Sequence, residues 1–527
     1  MNIIAINKKS LYNLSLIVFC TLPFVNLFVK NYFVMTNGEK TRLLITITAL
    51  LVLSFLIIYF EDQLKYIKLK YFSIFIFLLF NYLSITDFAY SNFPPSITKF
   101  DNYAFYFYVI CFFSILIIAF KFFEKNAFQS FFSVFIILSF ISPIFTYINE
   151  TSENNLEVSE IDNDELVEFK SKPDVYFIIF DGMANYRTLE EYYDYNISPS
   201  YDELENSGYI LNKNSTSAYG QSRPTIASIL NLDYVFPEGE VSFNNRKLLL
   251  GNYLSVNSIV YKTFEKNNYE FFITGEDLPC NPNIHHCIKN NSGDTFLYNL
   301  LINTPYSILV NNRDKIPNLY KSINKFLNID CSPDCREINF SEIQKFIASN
   351  DNPSKPNFVL IHNMNTHFPF RVDKNCKTLY ETKFGYSYYN KKEFIETNLC
   401  NISELIYLSK NTSKSSIIVA QSDHGPFYKE PIYEFDNLSI NDIKNRYLTF
   451  SASKNIDSIC PNVNYKNSFG VNTFRTIFNC LGDTKKYDLV EVKSFYASYG
   501  AKTGEINYGF NKIIEITKQI NIILNVN

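Results

Sequence analysis

Several side chains that can bind a metal ion or a phosphate group accompany short apolar runs of the sequence. They are Asp181, His362, His367, Asp423 and His424. An Asp-Gly pair after a strand is often no more than a turn, and a buried His is often a satisfied core residue. The chain has only 5 His, so three runs that lead to carboxylates or imidazoles favour one shared site. Divalent cations accept both kinds of ligand.

The apolar runs that carry these residues are typical of buried strands, because each is short, rich in β-branched or aromatic residues and bounded by polar ones. The runs are 174–180, 269–274, 357–363 and 416–422. Longer mixed segments separate them, which predicts an α/β domain with a central, mostly parallel sheet. The carboxyl ends of parallel strands meet at one edge of such a sheet, where ligands bind.

A candidate nucleophile, Ser222, lies in the segment NSTSAYGQSRPTIASILN, residues 214–231. Ser is a favoured N-cap residue and Pro224 suits the first helical turn, so we expect a helix to begin here. The dipole and the N–H groups at a helix N-terminus favour an anionic oxygen. On this segment alone, plain capping is the better interpretation of Ser222. Coordination to a metal ion would lower the pKa of its hydroxyl and generate an alkoxide nucleophile.

The composition indicates a membrane protein. A hydrophobic content of 47% and a net charge of -4 exclude a disordered chain and a basic protein that binds nucleic acid. The apolar residues are concentrated in five segments, each about long enough to cross a bilayer as a helix of about 20 residues. The segments are 11–29, 43–60, 71–88, 103–120 and 128–148. We therefore predict a five-helix transmembrane domain over 1–148, a linker over 149–172 and the α/β domain over 173–527.

Lysines and cysteines predict that the α/β domain lies outside the cytoplasm. The basic residues between the apolar segments are biased towards the side that carries the N-terminus, and an odd number of spans puts the α/β domain on the other side. Eight of the 10 Cys fall in close couples, as in proteins of oxidising compartments. The couples are Cys280/Cys287, Cys331/Cys335, Cys376/Cys400 and Cys460/Cys480. They favour sequential disulfides over separate buried thiols or zinc-binding pairs.

Taken in order, these motifs resemble the sulfatase-like branch of the alkaline phosphatase superfamily. The set is a strand followed by Asp181-Gly182, Ser222 in a helix-starting GQS, His367 in HFPF, and the SDHG of residues 422–425. With five apolar segments in front, the chain is most similar to the membrane-bound phosphoethanolamine transferases and to the lipoteichoic acid synthases, which are phosphoglycerol transferases. SDHG is the most specific motif, and the ordered set is more specific than any of its members.

The resemblance implies a metal site. Asp181, Ser222, Asp423 and His424 would hold one divalent cation, Zn²⁺ or Mn²⁺, with Ser222 at the nucleophile position that is usually Thr in the family. His367 would contact the transferred phosphoryl group or the leaving oxygen. Asp181 stands where these transferases often have Glu, which would shift the ion without removing it. The Cys376/Cys400 couple is similar to their disulfide-tied loops.

The resemblance also implies a reaction and a place in the cell. The protein would transfer phosphoethanolamine or phosphoglycerol from a phospholipid donor to a surface glycan or lipid acceptor through a Ser-linked intermediate. It would be embedded in the bacterial inner (cytoplasmic) membrane as a multi-pass protein. Its sulfatase-like catalytic domain would lie on the periplasmic side, and no nucleic acid is expected as a partner.

Three alternatives remain open. Sulfatases convert Cys or Ser in a C/S-x-P-x-R stretch, and Ser222 begins such a stretch until Ile226 replaces the Arg; the stretch at Cys331 fails in the same way, with Cys335 at the Arg position. A phosphodiesterase that passes the group to water shares the first half-reaction with a transferase. A catalytically inactive membrane-anchored binding protein would be expected to lack Ser222 or Asp423, and both are present.

Overall fold

The computed structural model divides the chain into two compact units, residues 1–156 with 293–332 and residues 157–292 with 333–527. The structure describes residues 37–60, 166–240, 256–275, 285–288, 340–350, 352–368, 372–377, 390–426, 439–461, 469–499 and 510–524, with isolated positions elsewhere. Every candidate site residue falls in the second unit.

Helix α1, Asn37–Tyr59, belongs to the first unit and overlaps the second apolar segment of the sequence. Among the residues that the structure describes, no helix has both the length and the hydropathy needed to cross a membrane. The other four apolar segments lie outside the described residues except for isolated positions. The five-helix membrane domain therefore stays a prediction.

A seven-stranded sheet forms the centre of the second unit. In chain order the strands of this unit are β1 (Val175–Phe180), β2 (Tyr209–Leu211), β3 (Gly239–Glu240), β4 (Glu270–Gly275), β5 (His286–Cys287), β6 (Asn357–Asn363), β7 (Ile417–Ser422), β8 (Ser451–Lys454), β9 (Phe495–Tyr499) and β10 (Phe510–Glu515). The spatial order of the large sheet is β2-β8-β7-β1-β6-β4-β5. Strands β5, β4, β6, β1 and β7 pair in parallel, whereas β8 runs antiparallel to its two neighbours, β7 and β2. The predicted mostly parallel sheet is confirmed, and β1, β4, β6 and β7 are its four predicted strands.

Helices cover both faces of this sheet. They are α2 (Tyr186–Tyr193), α3 (Ser198–Asn206), α4 (Ser222–Leu230), α5 (Ile259–Lys266), α6 (Phe340–Asn350), α7 (Lys391–Asn411), α8 (Ile440–Tyr447), α9 (Ile456–Ile459), α10 (Asn472–Leu481) and α11 (Thr517–Leu524). Helices α4, α5 and α10 contribute to the core on one face, and α2, α3, α6 and α7 to the core on the other. A sheet buried on both faces requires strands that are apolar throughout, which is the pattern that made these strands visible in the sequence.

Strand β1 shows how the two cores share one strand, because successive side chains point to opposite faces. Val175, Phe177 and Ile179 lie in the first core. The alternate residues of the strand, Tyr176, Ile178 and Phe180, lie in the second. All six are buried, so β1 is fixed at the centre of the sheet, and so is the residue that follows it.

A smaller antiparallel sheet, in the order β3-β10-β9, completes the described strands. These strands, together with β2 and β8, were not predicted. Strand β8 has the sequence SASK and β2 has only three residues. Neither offers the continuous apolar run by which the central parallel strands were recognised.

Two of the predicted disulfides are present, Cys376–Cys400 and Cys460–Cys480. Cys287 is also in a disulfide, and its predicted partner Cys280 lies outside the described residues. The Cys331/Cys335 couple lies outside them as well. For the two observed pairs, free thiols and zinc-binding pairs are thereby excluded.

The segment predicted as a linker is described only from residue 166 onwards. There, Val167 and Phe169 pack into the core of the α/β unit. The backbone of Phe169 donates to Asn267 Oδ1 at 2.7 Å, and that of Lys170 donates to Leu481 O at 2.7 Å. These residues therefore form part of the α/β unit.

Candidate active site

The candidate site lies where β1, β6 and β7 end. Phe180, the last residue of β1, is in register with Asn363 of β6 and Ser422 of β7. Asp181 N donates to Asn363 O at 2.9 Å, and Asp423 N donates to Phe180 O at 3.4 Å, so the strand ladder continues for one more residue. The parallel register thus brings the two carboxylates to adjacent positions, as the positions of the runs in the sequence predicted.

Backbone N–H groups fix the second of these carboxylates. Asp423 Oδ1 accepts hydrogen bonds from Gly182 N at 3.0 Å and from His424 N at 2.8 Å. Gly182 adopts a φ of 69°, which a glycine reaches without strain. Only Oδ2 of Asp423 then remains to face the neighbouring side chains.

Ser222 is the first residue of α4, and the N-cap is Gln221, whose backbone is extended and whose side chain makes no capping hydrogen bond. The expectation that Ser222 serves as the cap is therefore wrong by one position. Its hydroxyl instead donates to Asp181 Oδ2 at 3.1 Å and lies 3.1 Å from His424 Nε2. Plain capping does not account for Ser222, since its side chain is directed at the carboxylate and the imidazole.

The side chains of this cluster offer ligand atoms that suit a divalent cation. Ligand atoms of Asp181, Asp423 and His424 all lie within 4.8 Å of one another, and the three side chains are buried. Among the described residues, no hydrogen-bond donor reaches Asp181 Oδ1 or Asp423 Oδ2. A buried carboxylate oxygen without a donor is costly, and a cation would remove that cost.

The tautomer of His424 agrees with such a role. Its Nδ1 lies 2.9 Å from Gly425 O, and a carbonyl oxygen can only accept, so Nδ1 carries the proton. The lone pair of Nε2 is then directed towards Ser222 Oγ and the two carboxylates. A backbone carbonyl that orients a metal-binding imidazole in this way is a common arrangement in metal sites.

Burial and charge separate the pKa values of the cluster. Burial, together with the charge of Asp181, raises the pKa of Asp423 to about 7. Burial would raise the pKa of Asp181 too, but the charge of His367 and a hydrogen bond from His362 hold it well below its usual range. Burial and the charge of Arg446 hold the pKa of His424 well below its usual range, so its imidazole is neutral and able to bind a metal.

Two further histidines face this cluster. His362, on β6, is fully buried, and its Nε2 lies 3.5 Å from Asp181 Oδ2, so it contacts the cluster and is not merely a core residue. His367 is half-buried in the turn after β6. It lines a cavity of about 20 Å³ together with Asp181 and His424, enough for about one water molecule. All the candidate residues named from the sequence therefore lie around one point.

Helix α7 carries buried asparagines whose amide groups support the loops after β1 and β6. The sequence gave no indication of this network. Asn398 Oδ1 accepts from Ala184 N at 3.2 Å, in the loop after β1. Asn401 Nδ2 lies 3.5 Å from Thr366 Oγ1, and Asn401 Oδ1 accepts from Asn365 Nδ2 at 3.3 Å, in the loop after β6. Asparagines inside a long helix give no sequence signal of such a role, because their partners are far away in the chain.

The sequence also gave no indication of Arg446, at the end of α8. Its guanidinium donates to Gly220 O and to Gly425 O, both at 2.7 Å, and it lines the same small cavity as His367. Arginine is rarely buried unless it is paired. Its burial in the folded chain is therefore what identifies Arg446 as a candidate functional residue.

Comparisons with known proteins find no matching family model and no matching curated protein. The comparison with solved structures returns matches at low sequence identity. The C-terminal periplasmic domain of EcEptC from Escherichia coli in complex with Zn has 13% identity and a TM-score of 0.39, over 66% of this chain and 95% of that one. The integral membrane protein lipooligosaccharide phosphoethanolamine transferase A from Neisseria meningitidis has 10% identity and a TM-score of 0.40, over 91% and 97%.

A phosphonate monoester hydrolase, SpPMH from Silicibacter pomeroyi, has 12% identity and a TM-score of 0.35, over 63% of this chain and 81% of that one. At TM-scores this low, the similarities carry no argument about the reaction, which has to rest on the geometry of the site.

Proposed function

We propose that the chain is a membrane-anchored, metal-dependent enzyme that transfers phosphoethanolamine or phosphoglycerol from a phospholipid to a surface glycan or lipid. The observation that carries the proposal is the position of Ser222 Oγ, 3.1 Å from both Asp181 Oδ2 and His424 Nε2. A serine hydroxyl held between a carboxylate and an imidazole, at the edge of the sheet where ligands bind, is suited to nucleophilic attack on phosphorus.

One divalent cation, Zn²⁺ or Mn²⁺, is proposed to be held by Asp181, Ser222, Asp423 and His424. Support comes from the two buried carboxylate oxygens that no described donor reaches and from the lone pair of His424 Nε2. Oxygen and imidazole donors suit these ions better than a soft metal. When bound, such a cation polarises a phosphoryl oxygen and lowers the pKa of a coordinated hydroxyl.

In the first half of the reaction, Ser222 Oγ attacks the phosphorus of the donor lipid. The hydroxyl gives up its proton to water as its oxygen bonds to phosphorus, and the bond from phosphorus to the diacylglycerol oxygen breaks. His367 is proposed to protonate this departing oxygen, because it lines the cavity beside Asp181 and a protonated imidazole can donate to an alkoxide. The products are diacylglycerol and Ser222 carrying the phospho-substituent.

In the second half, a hydroxyl of the acceptor attacks the same phosphorus and passes its proton to His367, and Ser222 Oγ leaves and regains a proton from water. Hydrolysis differs from transfer only here, because water then takes the place of the acceptor. A phosphodiesterase is therefore the second candidate function. The two are separated by the product and not by the arrangement around Ser222.

The proposed location is the bacterial inner membrane, with the catalytic domain on the periplasmic side. The five apolar segments, the bias of the basic residues and the two observed disulfides support it. A domain tethered above the bilayer meets lipid headgroups at a high effective concentration. The membrane then presents the donor to the site.

The experiment that tests the proposal is the mass of the peptide that contains Ser222, from full-length protein incubated with phospholipid vesicles. We expect an added phosphoethanolamine or phosphoglycerol group on this peptide, which also identifies the donor. The Ser222→Ala variant is the control and should carry no such group. A mass lowered by two hydrogens would mean formylglycine and would replace the proposal with sulfate-ester hydrolysis.

A further inference from the structure

Arg446 joins the two loops that carry Ser222 and His424. Its Nε donates to Gly220 O at 2.7 Å, two residues before Ser222, and its Nη1 donates to Gly425 O at 2.7 Å, directly after His424. The backbone oxygen of Arg446 accepts from Gly425 N at 2.8 Å. Gly425 is thus held through both its N–H and its carbonyl group.

The carbonyl of Gly425 connects Arg446 to the imidazole. The same oxygen lies 2.9 Å from His424 Nδ1 and 2.7 Å from Arg446 Nη1. The direction of the His424 ring is set by the position of this carbonyl, and the guanidinium fixes that position. Partners of this kind, which orient a metal ligand without touching the ion, typically change metal affinity when they are lost.

Close packing couples the two loops to the last turn of α8, which carries Arg446. A Cβ atom on Gly425 would clash with the backbone oxygen of Asn445. A Cβ atom on Gly220 would lie 3.1 Å from Tyr447 Oη and 3.3 Å from Arg446 Cγ. The last turn of α8 is therefore wedged between the loops, and glycine at both positions permits the approach.

We propose that Arg446 is a positioning residue, which sets the separation of Ser222 Oγ from His424 Nε2 and thereby prepares the cluster for its cation. The proposal extends the proposed function, but it concerns the assembly of the cluster and can be measured without the reaction. A planar guanidinium has donors in a fixed fork and can hold two carbonyls at once. At 9% exposure, Arg446 performs this role with little access to solvent.

Arg475 provides a matched control within the same chain. Its guanidinium, on α10, also bridges two backbone carbonyls, since Nε donates to Leu232 O and Nη1 to Asp488 O. Neither of these carbonyls adjoins a residue of the candidate cluster in the sequence. Loss of either guanidinium removes the same kind of hydrogen bonds, but only one of them holds the loops of Ser222 and His424.

The test uses the full-length protein in detergent, stripped of metal, with Zn²⁺ titrated against a chromophoric chelator. The variants are Arg446→Met, Arg446→Lys and Arg475→Met. We expect Arg446→Met to bind Zn²⁺ about 10- to 100-fold more weakly than the wild type, and Arg475→Met to bind it as the wild type does. Arg446→Lys keeps the charge but lacks the fork, so its loss should lie between the two.

Two further measurements separate positioning from general stability. The visible spectrum of bound Co²⁺ should change in both Arg446 variants and remain unchanged in Arg475→Met, although Arg446→Met and Arg475→Met lower the melting temperature of the metal-free protein similarly. Turnover with phospholipid vesicles should fall about 100-fold in kcat for Arg446→Met, with KM almost unchanged.

Wild-type Zn²⁺ affinity in Arg446→Met, or an equal loss in Arg475→Met, would overturn the assignment. A wild type that binds Zn²⁺ but transfers nothing from phospholipid would refute the proposed function alone, because the Zn²⁺ titration still decides the role of Arg446. A wild type that binds neither Zn²⁺ nor Mn²⁺ would refute both.

Discussion

The two ends of strand β1 carry the same residue type in opposite circumstances. Asp174 precedes the strand, and its Oδ1 accepts from Asn357 N at 2.8 Å while its backbone oxygen accepts from Ile417 N at 2.8 Å. Asp181 follows the strand, is 2% exposed, and has one carboxylate oxygen that no donor reaches among the described residues. The first aspartate completes the pairing of β1 with β6 and β7, whereas the second is left to bind something else.

The difference shows that the hydrogen bonds to its carboxylate oxygens distinguish a structural aspartate from a candidate metal ligand. Asp174 is half-buried and one of its carboxylate oxygens accepts a backbone N–H, whereas a fully buried carboxylate has to find its partners inside the protein. At the carboxyl end of the sheet, two carboxylates lie together, and each retains an oxygen that no donor from the described part of the chain reaches. Such an arrangement is destabilising in isolation and becomes favourable only with a bound cation.

The largest effect is expected at the carboxyl end from Ser222→Ala. Without its nucleophile the enzyme should lose at least about 1,000-fold in turnover with a fluorescent phospholipid, and its circular dichroism should be unchanged. Ser228→Ala is the control on the same helix, because Ser228 Oγ donates to Pro224 O at 2.8 Å and accepts from Val235 N at 3.2 Å, and neither partner belongs to the cluster. Ser222→Ala with wild-type turnover would mean that another residue attacks.

Asp423→Asn should abolish Zn²⁺ binding and yet stabilise the metal-free protein at pH 8. The pKa of Asp423 in the folded chain, about 7, lies above its value of 3.8 when it is exposed. The metal-free fold therefore loses stability as the pH rises from about 4 to about 7, where the unfolded carboxyl is ionised and the folded one is not; the full penalty persists at pH 8, and Asn removes that charge. Thermal unfolding with and without Zn²⁺ measures both effects. If Asn lowered the metal-free melting temperature at pH 8, the repulsion inferred between the two carboxylates would be refuted.

Zn²⁺ affinity itself should depend on pH in the same window. Below pH 7, protons compete for Asp423, whose pKa is about 7, so affinity should fall by up to about tenfold for each pH unit. Titration at several pH values between about 5 and 8 checks this. An Asp174→Asn variant should follow the wild-type curve, because this residue lies at the other end of the strand. A flat curve for the wild type would argue that Asp423 is not a ligand.

The smallest effect is expected at the amino end. Asp174→Ala removes one hydrogen bond to Asn357 N and should cost about 1 kcal/mol of unfolding free energy. Zn²⁺ affinity should not change. Urea unfolding and the Zn²⁺ titration measure these quantities, and a marked loss of affinity would erase the contrast between the two ends of β1.

The sequence predicted those elements of the fold whose own residues carry the signal for the structure they form. Strands β1, β4, β6 and β7 were predictable because a strand buried on both faces is apolar throughout, and the residues after β1 and β7 were candidates because parallel strands end together. The start of α4 was predicted to within one residue from Ser222 and Pro224.

Elements that depend on distant partners were not predictable. Strands β2 and β8 lie beyond β7 at one edge of the sheet, and their residues are too few or too polar to indicate a strand. Arg446, Asn398 and Asn401 contact backbone and side-chain groups that are between 21 and 226 residues away along the chain. Only folding brings such partners together.

The Cys376–Cys400 disulfide connects the support of the candidate site to the oxidation state of the chain. Cys400 lies in α7 between Asn398 and Asn401, the two side chains that support the loops after β1 and β6. A chain newly made in a reducing cytosol lacks this bond, so its loops are less firmly supported. If the domain is exported as proposed, oxidation on the far side of the membrane would complete the support after synthesis. Under the proposed topology, the enzyme would thus mature on the side of the membrane where its acceptors are found.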